Sequence, residues 1–164
     1  MEASRQDGTG AEPERDEVHR AVTGTVPGAA ERAEIEEWFA RYDRLSARSA
    51  PEDIEAMADM AMFPMNLVTD DSAGQGSAEV SDREGYVRSM SEVMGGGTEH
   101  LEMEQVRTPF FLTPSLAVVF TRGTMNAGGH RRDIRYADIL VKRDGAWRFQ
   151  TMVQGGWGDA AAAG

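Results

Sequence analysis

The sequence predicts an α+β domain in which helices cover one face of a mainly antiparallel sheet. Three observations lead there. A segment beginning at Ala29 carries apolar residues at helical spacing, "REGYVRSMSEVM" carries a second such stripe, and the last third of the chain holds four strand-like segments in succession. Consecutive strands of this kind pair as a meander, and helices grouped ahead of them pack on one face rather than on both.

Residues 1–27, "MEASRQDGTGAEPERDEVHRAVTGTVP", contain no Phe, Tyr, Trp, Leu or Ile and are rich in Gly, Pro and acidic residues. Burial cannot offset the entropy of ordering them, which predicts a disordered acidic tail before a domain at 28–158. "DAAAAG", 159–164, is expected to be a flexible tail. In the first long helix Ile35, Trp38, Phe39, Tyr42 and Leu45 form the apolar stripe, with Glu34, Glu36, Glu37, Arg41 and Arg44 on the remaining face. Pro51 suits the first turn of a shorter helix in which Ile54, Met57 and Ala58 share a side. A strand over 62–70 follows, with Met65 and Leu67 on one face and Asn66, Val68 and Asp70 on the other. Ser81 and Glu84 have the spacing of a capping box, which predicts a helix over 82–94 striped by Tyr86, Val87, Met90 and Met94 and stopped by Gly95–Gly97. "EHLEMEQVRTPFFL", "SLAVVFTRGTMNA", "RRDIRYADILVKR" and "AWRFQTMVQGGW" are the four later strands, with turns at Asn126–Gly129 and Asp144-Gly145.

Composition narrows the function. The 28 acidic against 17 basic residues leave a net charge of -11, which repels nucleic acid and anionic membrane surfaces. There is no cysteine, which excludes thiolate catalysis, disulfides and Cys-type metal centres. No apolar run reaches the ~20 residues of a membrane span and the N-terminus lacks a signal-peptide pattern, so a cytoplasmic protein is expected.

Asp138 stands out as a carboxylate inside an apolar strand, "YADILV". Alternation places it either on a solvated face or in a cavity, and Tyr136 shares its face. Asp70 is the other carboxylate of interest, at the end of the first strand. His130, beside the glycine turn in "GGHRRD", and His100 are the histidines of the predicted domain and suit proton transfer near neutral pH. Trp38 and Tyr42 lie one helical turn apart. Lys142 is the only lysine. Glu99, Glu102 and Glu104 suit a solvated face better than a metal set, and no metal site or cofactor is expected. Ten methionines fit an adaptable apolar interior.

The order of elements, with Tyr136-x-Asp138 followed by Val141-Lys142-Arg143-Asp144-Gly145-x-Trp147-Arg148, resembles the nuclear transport factor 2-like superfamily over residues 31–157. More narrowly it looks like the SnoaL-like and ketosteroid isomerase-like branches. The resemblance implies a cone-shaped, curved, mainly antiparallel sheet wrapped around the long N-terminal helix with two further helices, and a cavity for an apolar small molecule. It also implies that Asp138 points into the cavity, and that Asp70 and Asp138 match a general base on the first strand and a protonated acid before the last hairpin.

The resulting candidate site has Asp138, Asp70, Tyr136 and His130 as catalytic residues and Trp38, Tyr42, Met65, Asn66, Met90 and Phe120 as its substrate-binding wall. The expected function is a cofactor-independent enzyme of polyketide-like natural-product biosynthesis that cyclises, isomerises or dehydrates an apolar carbonyl-bearing substrate. A non-catalytic binding or dimerisation module is the alternative. Asp133 and Arg135 resemble, in reversed order, a pair in epoxide hydrolases on this fold, which is a lesser alternative. A homodimer through the open sheet face is expected from the family.

Overall fold

A computed structural model describes residues 11–94, 102–127 and 129–159. The elements are α1 (Ala11–Thr23), α2 (Ala29–Arg48), α3 (Pro51–Ala58), β1 (Ala61–Asp70), β2 (Gly76–Ser81), α4 (Arg83–Met94), β3 (Glu102–Thr113), β4 (Leu116–Ala127), β5 (His130–Arg143) and β6 (Ala146–Val153). The strands form one sheet in the order β2-β1-β6-β5-β4-β3, antiparallel throughout except where β1 runs parallel to β6. Among the described residues no helix is long and apolar enough to cross a membrane.

Helix α2 starts where the Glu31 carboxylate accepts the Gly28 N–H at 2.7 Å, and it ends at Ser49, whose left-handed backbone (φ 48) lets its N–H return to the Leu45 carbonyl. Its buried stripe of Ile35, Phe39 and Leu45 joins a core with Phe111, Val119, Leu140, Phe149 and Met152. One face of the sheet, the inner face, is therefore the floor on which α2 lies. Helix α4 begins one residue from the expected capping box. The Asp82 carboxylate accepts the Gly85 N–H at 2.7 Å, while the Ser81 hydroxyl turns to the Asp82 carbonyl.

Strand register decides which residues face inward. Ala117, Val119 and Thr121 of β4 and Ile134, Asp138 and Leu140 of β5 are buried on the inner face, with Val119 opposite Asp138. Between β5 and β6 the pairing jumps from Ile139↔Thr151 to Leu140↔Phe149, leaving Gln150 as an extra residue. This bulge reverses the alternation of β6, so Trp147 and Phe149 face inward before it and Met152 and Gln154 after it.

Two elements depart from the sequence expectation. Residues 11–23, expected to be disordered, form α1, so the described molecule has four helices. The helix docks on β3 without large apolar side chains: the His19 ring, 2 % exposed, lies 4.7 Å from Phe110, and Asp16 pairs with Arg32 at 2.6 Å. Composition counting misses a helix held by an imidazole and an ion pair. Strand β2 is the other departure. Its residues are exposed apart from Ser81, so it has no apolar alternation, and it exists because Asp71 folds a turn by accepting the N–H groups of Ala73 and Gln75. Asp159, placed in the flexible tail by sequence, receives the Ser72 N–H and hydroxyl. Residues 1–10, the expected helix stop at Gly95–Gly97, Glu99 and His100 lie outside the described residues.

Candidate functional site

Asp138 is 4 % exposed, on the inner face of β5. Its carboxyl receives the Gln154 amide at 3.4 Å, the far limit of a hydrogen bond. Burial pushes its pKa up to about 7, against the smaller opposing effects of the Gln154 contact and the Arg107 charge. A carboxyl with that value populates its acid and its base forms together near neutrality, which is the condition for shuttling a proton.

Two phenols share its surroundings. Tyr42 of α2 is partly buried, stacked on Trp38 (6.3 Å, 14°) and edge-on to Phe149 (5.0 Å). Tyr86 of α4 is 2 % exposed, its ring 5.8 Å from Phe63, and its hydroxyl has no hydrogen-bond partner. Burial, the neighbouring Tyr86 and the Asp138 charge hold Tyr42 well above the usual phenol value. Burial pushes Tyr86 up to about 12, with a contribution in the same direction from Asp138. Tyr42 lies close enough to bear on the Tyr86 ionisation, lowering its pKa against the effect of burial. Both phenols stay protonated at neutral pH and remain available as donors.

Tyr136 lies on the Asp138 face, and its oxygen accepts the Trp157 indole N–H at 3.1 Å. Burial raises its pKa as well. Trp157 belongs to a segment that turns back after β6. The Arg132 guanidinium lies 5.0 Å from its ring and donates to the Gly156 carbonyl, and Thr69 accepts the Trp157 N–H at 3.0 Å.

Asp70 is not brought to Asp138. Leu67 pairs with the inward-facing Met152, so alternation along β1 turns Asp70 to the opposite face, where it is exposed and accepts the Gly156 N–H at 2.6 Å. Asn66, on the same outer side, donates to the Thr151 hydroxyl at 3.3 Å. Phe120 is 49 % exposed and meets Phe110 edge-on, away from the core. His130 is exposed at the start of β5. Asp133 and Arg135 lie on the side opposite Tyr136 and Asp138. Met65 is fully buried in the core, and Trp38 and Met90 pack partly buried against it. Lys142 pairs with Glu34 at 2.7 Å.

Four inner-face or core residues are not singled out by sequence as site residues: Tyr86, Gln154, Arg107 and Thr121. Tyr86 has a signal in the α4 stripe, whereas the bulge that turns Gln154 inward has none. Arg107 of β3 is clamped by Asp43 at 2.7 and 2.8 Å and lies 4.2 Å above the Phe39 ring. Beside it a groove of about 230 Å³ separates α2 from edge strand β3, floored by Ile35, Phe39, Pro109 and Val119. Among the described residues no cluster of three His, Asp or Glu side chains is placed to hold a metal.

No protein-family model and no curated protein matches the chain. Solved structures do. Aln2 from a Streptomyces species aligns with a TM-score of 0.62 at 13 % identity over 85 % of this chain and 100 % of that one. A nuclear transport factor 2-like protein of unknown function from Pseudomonas putida aligns with a TM-score of 0.64 at 14 % identity over 78 % and 87 %. A protein from Novosphingobium aromaticivorans, provisionally assigned as a scytalone dehydratase, gives 0.57 at 19 % over 76 % and 83 %. At such identities the likeness is one of fold, and the fold is nuclear transport factor 2-like: a mixed α+β arrangement of helices and a six-stranded sheet that does not close into a barrel.

Proposed function

We propose that this chain is a cofactor-independent enzyme that moves a proton on an apolar, carbonyl-bearing small molecule, isomerising, dehydrating or cyclising it. The observation that carries the reading is Asp138: a carboxyl buried among apolar side chains, titrating near neutrality, with two protonated phenols in its neighbourhood. In its ionised form Asp138 takes a proton from the carbon next to a carbonyl. Tyr86, with Tyr42 behind it, donates a hydrogen bond to the oxygen on which the charge develops. Protonated Asp138 then returns the proton, to another carbon of the enolate in an isomerisation or to a departing hydroxide in a dehydration that releases water. In a cyclisation the enolate carbon attacks a second carbonyl of the same molecule, and the proton goes to the new alkoxide. The enclosing wall supplies the reactive conformation.

The structural neighbour assigned to scytalone dehydration supports the dehydration branch. Asp70 has no part in this scheme because it lies on the other side of the sheet.

The test is native mass spectrometry of the protein after incubation with a library of apolar ketones and aldol-type polyketides, following each retained mass over time. A retained mass converted to an isomer or to a product lighter by one water, with conversion lost in Asp138→Asn, supports the reading. Conversion at an unchanged rate in Asp138→Asn removes Asp138 from the chemistry.

A second reading concerns assembly rather than catalysis. Val106, Leu116, Phe120 and Ile139 are exposed apolar residues on the outer face of the sheet, which favours a homodimer through that face. Sedimentation showing a monomer at micromolar concentration would exclude it.

A further inference from the structure

We propose that the Thr121 hydroxyl is a substrate-positioning group that receives a second oxygen of the molecule held at Asp138. This rests on the proton-transfer reading and adds a substrate class to it: an apolar skeleton with two oxygen functions rather than one.

Register sets the neighbours of this hydroxyl. On the inner face Thr121 stands between Arg107 of β3 and Tyr136 of β5, and the adjacent row is Pro109, Val119 and Asp138. The outer members of the Thr121 row are anchored. Arg107 is held by Asp43 and Phe39, and the Tyr136 oxygen accepts the Trp157 N–H. The central member is not. Thr121 is 4 % exposed and its hydroxyl has no hydrogen-bond partner.

A buried hydroxyl without a partner loses its hydration and regains nothing, and valine would fill the same space in a strand without that cost. The polar atom is therefore explained by something that arrives later. Tyr136, whose oxygen already accepts one hydrogen bond, still has its own proton to donate in the same row. Rows of side chains on one face of a strand repeat every two residues, about 7 Å. A molecule whose reacting carbonyl region lies at Asp138 thus reaches Thr121 with an oxygen only a few bonds away. Arg107 at the end of the row adds positive potential, which favours an oxygen carrying partial negative charge.

The test uses two probes of one shape, 1-indanone and 5-hydroxy-1-indanone, titrated at pH 6.5 into isotope-labelled full-length protein and followed by amide chemical shifts. The expected result is that the native protein binds the hydroxylated probe on the order of tenfold more tightly, the increment of one buried hydrogen bond. Thr121→Val and Thr121→Ala should bind both probes alike, and Thr121→Ser should keep the preference. A preference that survives Thr121→Val or Thr121→Ala, no preference in the native protein, or no binding of either probe overturns the proposal. Failure of the proton-transfer reading looks different: the probe preference stays and responds to Thr121, while Asp138→Asn leaves conversion of retained substrates unchanged.

Discussion

The Gln154 amide meets the Asp138 carboxyl at 3.4 Å, across the place where β6 regains the inner face after its bulge. The contact is long and single, so it offsets little of what burial takes from the carboxylate. That imbalance is why Asp138 holds its proton close to neutral pH.

Stability should therefore depend on pH through this residue. The folded-state pKa, about 7, lies above the ordinary value of 3.8, so the folded protein binds the extra proton between those limits and stability falls as pH rises through them. Asp138→Asn removes the penalty. In urea unfolding the variant should match the native protein near pH 4 and exceed it above pH 7, by at most about 4 kcal/mol. A variant weaker than the native protein at pH 8 would show that burial imposes no such penalty.

The Arg107 charge lowers the Asp138 pKa. Arg107→Met should move the Asp138 midpoint upward, and with it the acidic limb of turnover, because the base must be ionised to take its proton. A pH–rate profile measured on native and variant protein checks this, and an unmoved or lowered midpoint counts against it. The same substitution breaks the Asp43 pair and should cost about 1 kcal/mol of stability.

Tyr86→Phe separates folding from chemistry. The lost hydroxyl has no partner in the folded chain, so thermal stability should stay level or rise. Turnover should fall about 10²-fold if that hydroxyl supports the developing oxyanion. Equal turnover would place the oxyanion elsewhere.

Docking of α1 should be sensitive to acid. Burial first, then the Arg32 and Arg15 charges, hold His19 below its usual value of 6.5, while Asp16 acts in the opposite direction. A group depressed in the folded state contributes its stability in full above its unfolded value, and that contribution is lost as pH falls below it. Hydrogen exchange in Ala11–Thr23, corrected for intrinsic rates, should accelerate at pH 5 relative to pH 8. His19→Phe should abolish the difference.

The fold is legible in the sequence where its side chains are large. The stripes of α2 and α4 and the four long strands are visible because apolar residues recur at the period of their element, and Tyr136 with Asp138 shares a face by simple alternation. The phase of β1 also divides as expected, Met65 and Leu67 against Asn66 and Asp70. Which side faces the core is not legible, because both sides carry mixed polarity, and only pairing to Met152 of β6 resolves it. The outward position of Phe120 is the same lesson, since a phenylalanine on an open sheet face is indistinguishable from a core residue by type. Gln154 turns inward because of a bulge, and a bulge is a property of two strands together. Helix α1 is hidden because its docking relies on His19 and Arg32 rather than on aliphatic bulk.

The most direct measurement is the titration of the Asp138 side-chain carboxyl carbon by NMR in isotope-labelled protein, assigned by comparison with Asp138→Asn. A midpoint near 7 is expected for this one carboxyl. A midpoint near 4, as for a solvated aspartate, would show a carboxylate already ionised and hydrated in the folded protein, and the proton-shuttling role built on it would fall.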